Sequence, residues 1–121
     1  MPLTIQVNRE LQIIEITASG TLTKEEVSAT MAEMKELSLE HGITRILANA
    51  SDLEQGPSLG ATFAIFNNYP KGLRNAIVSE KPLPSRVVSD LRFIERMLHM
   101  RKQPTGLFDK QEDAVKWLLE A

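Results

Sequence analysis

The chain contains no cysteine. That excludes disulfides, thiolate metal sites and cysteine nucleophiles together. It also lacks any apolar run near the length of a membrane span, about eighteen residues, so stable membrane insertion is not expected. The opening Met1-Pro2-Leu3-Thr4-Ile5 alternates in polarity instead of following the basic-then-apolar order of an export signal, and the expected location is cytoplasmic. Basic excess is missing too: the formal net charge is -2, which argues against nucleic acid as a partner. Histidine occurs only at positions 41 and 99. Both fall near predicted helix C-termini, where the dipole favours a charged imidazole, and neither belongs to a nucleophile or metal spacing. No glycine-rich phosphate loop follows a strand. Neither a catalytic residue nor a metal or cofactor is therefore expected, and the chain is read as a binding module, not an enzyme.

What is present suits one domain over residues 1–121. Hydrophobic residues make up 42% and charged residues 25%, ordinary values for a globular protein, and no repeat or linker divides the chain. Leu3, Ile5 and Val7 alternate with polar neighbours, the period of a half-buried strand. Residues 11–17 are rich in β-branched side chains and pair back as a second, antiparallel strand, with Ser19-Gly20 ending the hairpin. Thr23 and Glu26 form a capping box for a helix to about Glu40, whose apolar stripe is Val27, Met31, Met34 and Leu37. Gly42 closes it in left-handed conformation.

Residues 44–48 form the next strand, parallel by crossover, and residues 49–56 a loop at its carboxyl end. Pro57 opens a helix in which Leu59, Thr62, Phe63 and Phe66 share a face. Residues 75–79 are a short buried strand. Ser85 caps a helix over residues 86–102, Thr105 to Phe108 form an edge strand, and Asp109 with Glu112 cap a last helix packed through Val115, Leu118 and Leu119, with Trp117 as a core anchor. The fold class is α/β: a mixed sheet of four or five strands, the first antiparallel, with about four helices.

Four stretches in this order carry a resemblance. They are Gly20-Thr21-Leu22-Thr23 leading into a helix, residues 45–53 as a hydrophobic strand and turn, Asn75-Ala76-Ile77-Val78, and residues 108–118 with their closing Ala-x-x-Trp-Leu. Together they resemble the SpoIIAA-like family, related in fold to the STAS domains of anti-sigma-factor antagonists and compared with CRAL-TRIO lipid-binding domains. The resemblance implies a regulatory module working by protein contacts. In the phosphoswitch members a serine in Asp-Ser-Ser-Gly is phosphorylated. The matching segment here is Pro57-Ser58-Leu59-Gly60, which keeps Ser58 and Gly60 but replaces the aspartate and the second serine.

Four sets of residues are candidate sites. Ser58, at a helix start, is a phosphorylation candidate, because unpaired N–H groups there favour phosphate. On the helix over residues 86–102, Val87, Leu91, Ile94 and Leu98 make a docking stripe, and Phe93, Met97 and Met100 a second one about 100° round. The surplus stripe suits a homodimer seam or another protein partner. Alternatively, Phe63, Phe66, Tyr69, Leu91, Phe93 and Met97 wall a pocket for a small hydrophobic, lipid-like molecule. The same helix carries a net charge of +3 from Arg86, Arg92, Arg96, Arg101 and Lys102 against Asp90 and Glu95, most simply a solvated face. Asn49, Asp52 and Glu54 lie where open α/β sheets bind ligands, with a turn held by Asx hydrogen bonds as the simpler reading.

Overall fold

The alternation of the first residues produces β1 (Leu3–Asn8), paired antiparallel with β2 (Ile13–Thr21) in the register Ile5↔Ile16 and Val7↔Ile14. The turn is longer than the sequence implied. Gln12 has a φ of 58°, outside the extended region, so β2 begins at Ile13 and not at Leu11. A computed structural model describes residues 2–120. The remaining elements are α1 (Lys24–His41), β3 (Arg45–Gln55), α2 (Leu59–Phe66), β4 (Arg74–Val78), α3 (Ser85–Met100), β5 (Thr105–Phe108) and α4 (Gln111–Leu119). The strand order β1-β2-β3-β4-β5 gives one mixed sheet, parallel from β2 onward. The expected α/β class is met with five strands and four helices.

The capping box of α1 forms as read: Thr23 Oγ1 accepts from the Glu26 N–H at 3.1 Å, and Glu26 Oε1 accepts from the Thr23 N–H at 2.8 Å. Gly42 ends the helix at φ 65°, a left-handed position where a Cβ would be strained. Other termini differ from the reading. Pro57 lies before α2, whose N-cap is Ser58. Ser85 is the first residue of α3 and Pro84 its cap, with no side-chain cap bond. Likewise α4 is capped at Lys110 with no such bond, so Asp109 and Glu112 make no capping box.

The largest difference is at β2 and β3, both of which run on past their expected ends. Register irregularities between Thr17 and Ser19, and again between Gly20 and Thr21, absorb the small residues there. Pairing then continues to Thr21↔Gln55, so residues 49–55, expected as a loop, are strand. A bulge of this kind bends a strand without ending its ladder.

Alternation along the strands sorts the core onto two faces. On one, Ile14, Ile16 and Ile46 pack beneath α1 and α3 with Met34, Ile43 and Leu98. On the other, Ile13, Leu47, Ala76 and Val78 pack under α4 through Ala114 and Leu118. Beyond the reach of α4 that second face is polar, and Gln6 donates to Glu15 at 2.9 Å. Arg45 and Arg74, neighbours in register, hold the end of α4: Arg45 donates to the Leu118 carbonyl and Arg74 to that of Trp117. The Arg74 guanidinium lies 3.7 Å from the centre of the half-buried Trp117 ring. These contacts satisfy carbonyls that a helix C-terminus leaves unpaired. Leu119, expected to pack down, is 40% exposed.

A buried polar network ties α2 and the following loop to the sheet. The Tyr69 hydroxyl donates to Asn75 Oδ1 on β4. Gln103 accepts from the Leu73 N–H at 3.0 Å and donates to the Pro70 carbonyl at 2.7 Å. Burial pushes the Tyr69 phenol well above its ordinary value of 10.0. The folded state thus keeps a proton that the unfolded chain releases near pH 10, so this contribution to stability is complete below about pH 10 and is lost as pH rises beyond it. Tyr69 is the single tyrosine, which makes its ionisation readable alone. In an alkaline titration, tyrosinate absorbance is expected to appear together with loss of helical circular dichroism. Tyrosinate forming while the helices persist would contradict this burial.

Candidate functional site

The helix-covered face of the sheet does not close completely. Between α1, α2, α3 and the sheet lies a chamber of about 140 Å³, partly open to solvent. Its floor explains it. Ala18, Ala48 and Ala50 carry single methyl groups where nearby strand positions carry Ile16, Ile46 and Ile77, all of them lining residues. Met31 of α1, Thr62 and Phe66 of α2, and Val87, Leu91 and Ile94 of α3 complete the walls. Thr62 is buried but turns its hydroxyl back onto the Ser58 carbonyl at 3.0 Å, which removes it as a free polar group. Asp90, half-buried on α3, is the one charged side chain in the lining among the described residues. Protein interiors seldom keep voids larger than a water molecule.

Only part of the expected pocket wall is found here. Phe66, Tyr69 and Leu91 line the chamber, and Phe66 stacks on Tyr69 with ring centres 5.6 Å apart. Phe63, Phe93 and Met97 do not line it. Phe63 points outward and is 52% exposed, as is Leu59 at 54%, so the expected four-residue face of α2 divides: Thr62 and Phe66 inward, Leu59 and Phe63 outward. The second stripe of α3 is likewise not one surface. Met97 is buried, Phe93 half-buried and Met100 80% exposed. Because α3 lies against both the sheet and α2, it buries a wider arc than a helix with one neighbour. Sequence reasoning missed the alanines, Thr62 and Asp90. The pair Ala48 and Ala50 on a buried strand was the available signal, since each lacks the bulk a core strand usually carries.

Asn49, Asp52 and Glu54 belong to β3 rather than to a loop. Asn49 Oδ1 accepts from the Ser51 N–H at 2.9 Å, the expected Asx hydrogen bond. Asp52 pairs with Lys81 at 2.6 Å, both well exposed, and this contact holds the lysine's ionisation above its usual value. Ser51 Oγ accepts from the Glu80 N–H at 2.9 Å. These bonds tie the end of β3 to the segment after β4. Among the described residues, no group of three or more histidines, aspartates or glutamates is placed to hold a metal ion. No helix among them is long and apolar enough to cross a membrane.

Ser58 is the N-cap of α2, exposed, and its Oγ accepts from the Ala61 N–H at 3.2 Å. It stands one residue before Leu59 and five before Phe63, at the head of the helix that presents both.

These features define a mixed open-sheet α/β domain with an antiparallel edge strand and a capped helix following its central strand. A family model described as SpoIIAA-like matches residues 13–119, and the chain belongs to the SpoIIAA-like family. Its fold is similar to that of an uncharacterised Shewanella loihica PV-4 protein of the DUF3478 family with a SpoIIAA-like fold (TM-score 0.63, 22% identity, covering 96% of this chain and 91% of that one). It is also similar to the anti-sigma factor antagonist SpoIIAA in its unphosphorylated form (TM-score 0.65, 15% identity, 98% and 99% covered). An anti-sigma factor antagonist from Mycobacterium paratuberculosis is a third similar structure (TM-score 0.61, 16% identity, 96% and 93% covered). At these identities the likeness concerns the fold. No curated protein matches the chain.

The capping role of Ser58 has a direct check. Ser58→Ala is expected to lower stability by about 1 kcal/mol, while Ser58→Asp, which also caps, holds it near the parent value in urea denaturation. Equal losses in both variants would remove the cap from the account.

Proposed function

We propose that this protein is a non-catalytic regulatory module that binds another protein, or a second copy of itself, through the outer face of α2. The observation that carries this reading is the pair Leu59 and Phe63. They are four residues apart, hence on one side of the helix, and each is more than half exposed although large and apolar. Exposed apolar side chains scattered singly need no explanation, but two together beside a helix start form a small adhesive surface. The same helix start carries Ser58. A phosphate there would add negative charge next to the apolar pair and to the N–H groups of α2, so modification of Ser58 would alter how this face meets a partner. The family relation supports the reading: solved structures of similar fold include an anti-sigma factor antagonist in unphosphorylated and phosphorylated forms. Met97 and Met100 do not share the face: the first is buried, the second lies at the far end of α3.

The test is site-specific photocrosslinking in the native host. A photoreactive residue at Phe63 is expected to trap one discrete adduct, either a dimer or a heterologous complex. The same group at exposed Glu36 on α1 should trap none, and Leu59→Asp should reduce the Phe63 adduct at least about tenfold, as loss of an anchoring apolar contact does. Identical patterns from the two positions would overturn the proposal.

A further inference from the structure

The chamber beneath α1, α2 and α3 has no part in a contact made by the outside of α2, and its chemistry is specific. Its volume of about 140 Å³ is close to that of an engineered apolar cavity, about 150 Å³, that takes up benzene. The walls are apolar, and the few polar lining groups are largely committed elsewhere: the Thr62 hydroxyl donates to the Ser58 carbonyl, the Tyr69 hydroxyl donates to Asn75 Oδ1, and Asn49 Oδ1 accepts from the Ser51 N–H. Asp90 is different. It is half-buried, it lines the chamber, and among the described residues its carboxylate has neither an ion pair nor a hydrogen bond from another side chain. Gly56, on the segment leading into α2, also lines the chamber and lies beside this carboxylate: a Cβ built there would stand 4.0 Å from Asp90 Oδ2, an ordinary contact.

We infer that the chamber binds a small amphiphile, with an apolar body of about six to eight heavy atoms and an ammonium or hydroxyl head that donates to Asp90. An acceptor-only head, such as a carboxylate, meets a like charge at the rim and is disfavoured. The site therefore discriminates by the head group and by size: a long acyl chain exceeds the chamber, and an anionic head is repelled.

The test uses the full chain with three probes of matched length, hexylammonium, hexan-1-ol and hexanoate, followed by methyl nuclear magnetic resonance. Hexylammonium and hexanol are expected to shift the Ala48 and Ala50 methyl signals saturably, and hexanoate to bind at least about tenfold more weakly than hexylammonium. Asp90→Asn should erase that preference while hexanol binding persists. Two variants fill the space: Ala48→Ile from the floor and Leu91→Trp from the half-exposed wall, where a larger side chain is accommodated more readily. Each is expected to weaken both favoured probes more than tenfold while the circular dichroism stays that of the parent. Absence of saturable shifts with all three probes would overturn the inference. So would equal binding of hexanoate and hexylammonium, or undiminished binding in a folded filled variant. Because none of these readouts involves Leu59 or Phe63, they leave the contact face of α2 to its own test.

Discussion

The hydrogen bond from the Tyr69 hydroxyl to Asn75 fixes where α2 sits, and both surfaces of interest depend on that placement. Helix α2 has eight residues, too few to be stable alone in water. Its start is held by Ser58, and its end runs directly into Tyr69, which is anchored inside the domain. Asn75 in turn reaches the Thr105 hydroxyl, and Gln103 ties the loop after Tyr69 to the chain before β5. The polar groups are buried and mutually satisfied, the condition under which such a network adds rigidity instead of cost. Held at both ends, α2 shows Leu59 and Phe63 to solvent and turns Thr62 and Phe66 toward the chamber.

The chamber follows from a conflict of sizes. Three helices span the sheet on that side, and their spacing is set by large residues such as Met34, Ile43 and Leu98 nearer the amino ends of the strands. Toward the carboxyl ends the floor drops to Ala18, Ala48 and Ala50. The extension of β2 and β3 past their bulges carries this small-residue floor beyond the main core, and the helices bridge it without filling it. A molecule that occupies the chamber in the folded chain alone adds stability by mass action. The chamber and the outer face of α2 lie on opposite sides of one helix, which turns Thr62 and Phe66 to the one and Leu59 and Phe63 to the other.

Most of the fold was legible because its signals are local. The capping box at Thr23 and Glu26, the left-handed Gly42 and the alternating first strand each depend on a few neighbouring residues, and each appears as read. The failures were of longer range. Nothing local reveals that Thr17 to Thr21 and Asn49 to Gln55 bulge and keep pairing, because the pairing energy comes from the other strand. The capping-box spacing at Asp109 and Glu112 was present, but the chain places Lys110 at the cap instead. At the site, Phe66 and Leu91 were legible as apolar residues on facing helices, and Tyr69 as an aromatic residue in the segment that ends the first of them. Phe63, Phe93 and Met97 were misassigned to the pocket because periodicity gives a face without saying which neighbour covers it. The alanines escaped notice because a cavity is a relation among volumes on several elements. Asp90 was counted only as a charge.

The central claim is that α2 owes its position to the Tyr69–Asn75 bond and not to its own helical preference. Native-state amide hydrogen exchange on Tyr69→Phe tests it most directly, since the substitution removes one hydroxyl and leaves the ring. The account predicts that amides bonded within α2, such as those of Thr62 and Asn67, lose at least about tenfold in protection relative to amides of β3 and β4, by local opening. A uniform loss across sheet and helices, or no change in α2, would contradict it.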